Sequence, residues 1–283
     1  MNIDPLAGFT LPPTGLSVDH TASVAATAVI GIWFLIIIAR AIPGARAGDL
    51  IPLYILTGGL LLAPFIEPIL DHLGMVWYAN DNLWIFSHML GRPMPLLVLF
   101  GWVAYWGGCT LLAYNGARAG RGRRWQWKVL WLCFAWDLFG ETLAVTWLGI
   151  YVYYGAQPFD YWGVPLWFMW MNPGAAIVLA LTLNHHRERI KGLGGALVVI
   201  LSVPAVVLCF YAAACWPLFI ALNTPGTNTI WIHLAGAVSA LQAFLLIGVA
   251  MALTTPEESQ TRLDVLTAHA LATERPETCE IPR

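Results

Sequence analysis

The sequence predicts an all-α polytopic membrane protein, a bundle of seven transmembrane helices with the N-terminus outside and the C-terminus cytoplasmic. Three observations lead there. Of the 283 residues, 59% are hydrophobic and 11% charged, against roughly 25% charged in soluble domains. Seven apolar stretches approach the roughly 20 residues needed to cross the hydrocarbon core. The basic residues between those stretches fall almost entirely on one side.

The stretches are 22–42, 50–72, 93–115, 127–152, 162–184, 194–222 and 230–253. The first follows Met1-Asn2-Ile3-Asp4-Pro5, which lacks the basic segment of a signal peptide, so it is expected to be a retained helix. Gly, Pro and charged clusters such as Pro43-Gly44-Ala45-Arg46 and Pro225-Gly226 separate the stretches, and no long linker announces a second domain. Arg40, Arg46, Arg118, Arg121, Arg123, Arg124, Lys128, Arg187, Arg189 and Lys191 fall on one side, against Arg92 alone on the other. Positive charge is retained in the cytoplasm, which sets the orientation. Residues 1–253 thus read as the transmembrane domain and 254–283 as a cytoplasmic tail. Thr255-Pro256-Glu257-Glu258, followed by Leu263, Leu266 and Leu271, reads there as a short surface-lying helix or a solvated tail. A bacterial cytoplasmic membrane is the expected location.

With a net charge of −2, and with the dense basic run at 118–128 explained as a headgroup anchor, nucleic-acid binding is set aside. The five Cys lack CxxC or zinc-like spacing and read as free, structural residues.

Acid inside apolar helices is the informative feature, because an ionised carboxylate in hydrocarbon is expensive and usually faces a protein interior or wet cavity. Glu67 and Asp71 lie four apart in the second stretch, and Asp137 and Glu141 four apart in the fourth. That spacing puts each pair on one helical face. No Lys or Arg lies within reach in the spans, so the carboxylates disfavour one another's ionisation and at least one is expected to hold its proton near neutral pH. This is the arrangement of a general acid in an apolar cavity. The bland alternative is that the acids bond to Asn172, Tyr or Trp groups and lock helices together.

Fifteen Trp supply the second half of the constellation. Interfacial belts account for many, but Trp77, Tyr78, Trp136, Trp147, Tyr151, Trp167 and Trp170 lie beside the acids in sequence, with Asn172 close by. Ring faces attract cations without acting as nucleophiles, so these residues are expected to line a cavity in which carbocation character develops. An internal echo adds to this. Glu67, Gly74 and Tyr78 are matched by Glu141, Gly149 and Tyr153 with one residue inserted, as expected of two helix pairs related as parallel repeats.

Glu141, Gly149-Ile150-Tyr151-Val152-Tyr153 and Gly163-Val164-Pro165-Leu166 resemble integral-membrane carotenoid hydratases of the bacterioruberin type, and more distantly the small membrane lycopene cyclases. The resemblance spans Glu141 to Trp167. It implies a polytopic helical protein, without a redox cofactor, that adds to or cyclises an isoprenoid double bond by acid initiation. The expected reaction starts when Glu141 or Asp137 protonates an alkene carbon of a lipophilic substrate drawn from the bilayer. Glu67 or Asp71 then accepts a proton or orients a water. No cofactor and no metal are expected, and the expected partners are that small molecule and membrane lipids.

Other classes remain open at this stage. A retinal photoreceptor needs an intramembrane Lys, yet Lys128 and Lys191 both lie at cytoplasmic ends. A proton-coupled transporter or lipid-binding protein would also use acids in helices, and Gly58-Gly59, Pro64 and Pro68 could break a helix as transporters require. A metal-dependent lipid hydrolase would draw on His72, His88 and His233 at the outer face.

Overall fold

A computed structural model describes residues 10–255 of the chain, which are mostly helical. The tail segment read above as a surface helix lies outside the described residues. Among the described residues five helices are long and apolar enough to cross a bilayer: His20–Arg46, Leu96–Arg118, Arg123–Trp147, Gly192–Asn223 and Thr229–Thr254. A sixth candidate is a bent pair, Ile51–Phe65 with Glu67–Gly74.

Helix α1 (His20–Arg46) starts at Asp19, whose carboxylate accepts from the Ala22 N–H at 2.9 Å. The second stretch is broken into α2 (Ile51–Gly59), α3 (Leu62–Phe65) and α4 (Glu67–Gly74), with a bend of 50° before Glu67. Pro64 and Pro68 flank the break, and a proline inside a helix removes a donor and crowds the carbonyl four residues back. The third span joins α5 (Leu96–Gly101) through a π-helical turn at Trp102–Gly107 to α6 (Gly108–Arg118). The fourth, α7 (Arg123–Thr142), likewise ends in a π-helical turn, Leu143–Trp147.

The stretch at 162–184 differs most from expectation. Val164–Pro165 is extended, Phe168–Trp170 forms a 3-10 turn, and the α-helix α8 covers only Met171–His186. At 1.5 Å per residue its 16 residues reach about 24 Å, short of the roughly 30 Å hydrocarbon core. Packing against α6, α9 (Gly192–Asn223) and α10 (Thr229–Thr254) explains the tolerance, because α8 is shielded rather than lipid-facing and Ala175, Ala176, Ile177 and Ala180 are fully buried. Pro173 falls in the first turn of α8, where its missing N–H is harmless.

The all-α expectation also needs correction between the helices. Three two-stranded antiparallel sheets pair β1 (Val76–Tyr78) with β4 (Tyr151–Tyr153), β2 (Ile85–Met89) with β3 (Arg92–Pro95), and β5 (Asp160–Tyr161) with β6 (Val164–Pro165). Asn82, between β1 and β2, is buried and bonds to Ser23 and to the Ala79 and Ile150 carbonyls.

Gly58 sits where α2 meets α9, and a Cβ there would lie 2.6 Å from the Ile200 carbonyl oxygen. Gly58→Ala is therefore expected to cost about 1–3 kcal/mol through overpacking. Thermal unfolding in detergent should register the loss, while Gly248→Ala, with open space around it, leaves the transition unchanged or raised.

Candidate active site

The bend before Glu67 and the paired strands beyond α4 and α7 decide where the acids point. Glu67, Asp71, Asp137 and Glu141 all line one cavity of about 470 Å³, together with residues of α1, the third span, α8 and α9. Asp71 and Asp137 are buried, and Glu67 and Glu141 half-buried.

The cavity is closed at one end by β1 and β4, in the register Val76 to Tyr153, Trp77 to Val152 and Tyr78 to Tyr151. Side chains alternate along a strand and directly opposed residues share a face. Val76, Tyr78, Tyr151 and Tyr153 consequently all face the cavity, and Trp77 and Val152 turn away. A local two-fold axis through the Trp77–Val152 pair exchanges Tyr78 with Tyr153, the match that the internal echo proposed. The same axis pairs Gly74 with Gly149, as the echo did, but the helix-to-strand turn falls at Met75 in one half and at Gly149 in the other. Each lies eight residues after its Glu and adopts positive φ, 58° and 65° respectively, to turn a helix into a strand. Gly74 instead lets the Trp167 ring approach, 3.5 Å from where a Cβ would stand.

The acids are held by neutral donors. Tyr78 donates to Glu67 Oε1 at 2.7 Å and Trp102 Nε1 to Glu67 Oε2 at 3.0 Å. Tyr151 and Tyr153 both donate to Glu141 Oε2, the latter at 3.0 Å, and Oε1 accepts no bond among the described residues. Asn172 donates to Asp137 Oδ2 at 3.2 Å, and its own amide oxygen accepts from Tyr211 at 2.6 Å. Asp71 Oδ2 is buried without a partner. Burial, reinforced by the nearby carboxylates, holds the phenols of Tyr78, Tyr151 and Tyr153 well above the usual range, so they remain donors.

Among the described residues none of the four acids forms an ion pair, and the pair Arg118–Asp49 lies at the other end of the bundle. Arg92, expected on an outer loop, is instead 3% exposed behind β1. It donates to the Val76 carbonyl and, at 2.9 Å, to the Tyr154 hydroxyl, lies 3.4 Å from His72 Nδ1, and sits over the rings of Trp77 and Tyr154 at 5.5 and 5.8 Å. The cation thus pins the outer face of the strand pair while the acids occupy the inner face.

Of the aromatic residues expected at the site, Tyr78, Trp136, Tyr151 and Trp167 line the cavity, as does Asn172. Trp77, Trp147 and Trp170 do not. Trp77 is turned away by strand alternation. Trp147 ends the π-helical turn of the fourth span and is 70% exposed, in keeping with an interfacial ring. Trp170 packs away from the acids against Phe134 and Phe244, with ring centroids 4.2 and 4.5 Å apart. Sequence reasoning missed Trp33, Trp102, Tyr105, Tyr153 and Tyr211 as lining residues. Trp102 and Tyr105, three apart, carried a helical-face signal, and Tyr153 was already in the echo; Tyr211 shared a long apolar helix with one other hydroxyl, Ser202, and nothing marked it out.

No group of three His, Cys, Asp or Glu residues suited to a metal occurs among the described residues. His72 meets Arg92, and His233 accepts from the Phe159 N–H, so the outer histidines are dispersed. Comparison with known protein families, curated proteins and solved structures finds no match to this chain.

Arg92→Met keeps an apolar stem but leaves the Val76 carbonyl and Tyr154 hydroxyl without their donor, an expected loss of about 1–3 kcal/mol. Thermal unfolding, with amide exchange at 76–78 and 151–153 as a local readout, should detect it.

Proposed function

We propose that this chain is a membrane-embedded isoprenoid-modifying enzyme that cyclises or hydrates a terpenoid or carotenoid-like double bond by acid initiation. The supporting observation is a single apolar cavity in which four carboxylates face aromatic rings, three of them, Glu67, Asp137 and Glu141, held by neutral donors and none of the four in an ion pair among the described residues. In the bilayer α8 counts as the fifth of seven spans, the N-terminus lies outside and the C-terminus is cytoplasmic, consistent with the basic residues at 118–128 and 187–191.

The hydrogen bonds give the two glutamates different roles. Both oxygens of Glu67 accept, one of them from an indole N–H that can only donate, as suits a carboxylate and a base. Both donors to Glu141 converge on Oε2, leaving Oε1 to carry a proton toward the cavity. Glu141 delivers that proton to one alkene carbon, the π pair forms the new C–H bond, and the neighbouring carbon becomes cationic. The electron-rich faces of Tyr78, Tyr151 and Trp167 stabilise it. Either a second double bond of the same chain attacks the cation, its π pair closing a C–C bond and moving the positive charge along the chain, after which Glu67 removes a proton from the adjacent carbon and an alkene re-forms, or water adds to the cation and passes its extra proton to Glu67. Asp137, oriented by Asn172, tunes Glu141 one turn away.

Substrate enters from the side. Helices α1 and α7 both line the cavity, yet α1 packs on α2 and the third span and α7 on α6 and α8, with no comparable interface between α1 and α7. Trp33 and Trp136 meet edge-to-face across that seam at 5.1 Å.

A second reading, a proton-coupled transporter, draws support from the 50° break in the span at Glu67. Expression in an isoprenoid-producing host, followed by assay of the purified protein in detergent without any gradient, separates the two. Products isobaric with substrate or one water heavier support the enzyme; gradient-dependent uptake into proteoliposomes without product supports the carrier. Glu141→Gln is expected to lower turnover by about 10²–10⁴-fold with the protein still folded, and Asp137→Asn to lower it as well; full activity in both removes this assignment. Dicyclohexylcarbodiimide, which modifies protonated carboxyls in apolar surroundings, is expected to label Glu141 ahead of Glu67 when the sites are mapped by mass spectrometry.

A further inference from the structure

A second space, of about 600 Å³, runs along α1 from Trp33 to Gly44 between α6 and the first half of α7. It meets the acid cavity at Trp33, Tyr105 and Trp136, which line both. Each wall keeps one order through this constriction. In α1 residues 25–30 line the acid cavity and 36–44 the slot; in the third span 97–102 line the cavity and 108–118 the slot; in α7 Leu132 lines the slot and Gly140 the cavity. The two spaces are therefore consecutive lengths of one passage, narrowed where Trp33 meets Trp136. From Ile30 to Arg40 the passage follows ten residues of α1, about 15 Å at the helical rise.

The far end has the opposite chemistry from the acid end. Arg40, Asn115 and Arg118 line it, and no Asp or Glu does. Arg118 is engaged by Asp49, whereas Arg40 and the Asn115 amide are exposed and make no hydrogen bond or ion pair among the described residues. Between the two ends the lining is largely Ile, Leu, Ala and Cys. Such a passage fits a linear amphiphile with an apolar chain and an anionic head, the head reaching the cation and free donors.

We propose that the substrate is a linear isoprenoid bearing a phosphate-like anionic head, held with its distal double bond at Glu141, its chain threaded past Trp33 and Trp136, and its head at Arg40 and Asn115. The reacting end rests on the acid-initiated reading above; the seating of chain and head does not, so the two can fail separately. A fully apolar polyene would fill the passage but leave the cationic mouth unused. A bulk phospholipid would satisfy Arg40 without reaching the acids.

The test uses full-length protein in neutral phosphatidylcholine nanodiscs and two photoactivatable probes, geranylgeranyl phosphate and geranylgeraniol, each with a diazirine on the chain. The phosphate probe is expected to label residues around Trp33 and Trp136 at about ten-fold lower concentration than the alcohol, the scale of one charge-assisted hydrogen bond. Arg40→Gln, and to a smaller extent Asn115→Ala, should erase that advantage while leaving labelling by the alcohol unchanged. Glu141→Gln should label normally, because the chain is held independently of the chemistry. Equal labelling by the two probes, or an unaltered advantage in Arg40→Gln, overturns the proposal, as does full competition by anionic phospholipid, which would assign the mouth to bulk headgroups. Turnover of an uncharged polyene with no preference for the phosphate probe would reject this inference and leave the acid chemistry standing; preferential labelling without turnover of any isoprenoid would do the reverse.

Discussion

Antiparallel pairing of Val76–Tyr78 with Tyr151–Tyr153 is the contact on which the rest of the site depends. Strands this short have no independent stability, so the surrounding helices and the buried Arg92 hold the pair together. In return the pair ties the ends of the two acid-bearing helices to each other. It fixes by simple alternation which side chains look down into the cavity. A slip of one residue in β1 would point Trp77 at the carboxylates and carry Tyr78 away from Glu67, and the same slip in β4 would bring in Val152 and carry Tyr151 and Tyr153 away from Glu141.

Charge is segregated across that thin layer. Arg92 is buried on the outer side among ring faces, a carbonyl and a hydroxyl, and the four acids lie on the inner side among phenols, an indole and a carboxamide. An Arg within hydrogen-bonding distance of the acids would form ion pairs and make carboxylates of them. Neutral donors satisfy oxygen atoms while leaving room for protons to be held or passed. The two glutamates differ in their donors, a phenol and an indole spread over both oxygens of Glu67 and two phenols on one oxygen of Glu141.

The departures from regular helix gather around the same space. A proline-flanked bend precedes Glu67, one π-helical turn carries Trp102 and Tyr105, and another follows Glu141. π-helical turns and bends recur at functional sites because they re-aim side chains without ending the span. The π-helical turn of the third span begins at Trp102, which bonds Glu67, and beyond its bend the second span carries Glu67 and Asp71 on a separate short helix. Regular helix dominates elsewhere, in α9 even across Pro204 and Pro217.

The long apolar helices, the pairing of acids at helical spacing and the repeat of Glu and Tyr in two halves were all legible in the residue order, because each depends on local periodicity or composition. Their convergence was not. Trp77 and Tyr78 are neighbours in sequence and opposite in role, since a strand alternates faces and nothing local announced a strand there. The fifth stretch looked long enough to span on its own; its helix is shorter because three other helices shield it from lipid. Arg92 read as a loop charge until the fold closed over it. Periodicity could name the four carboxylates, but only the packing of helices distant in sequence could decide that they share one chamber and which donors hold Glu67, Asp137 and Glu141.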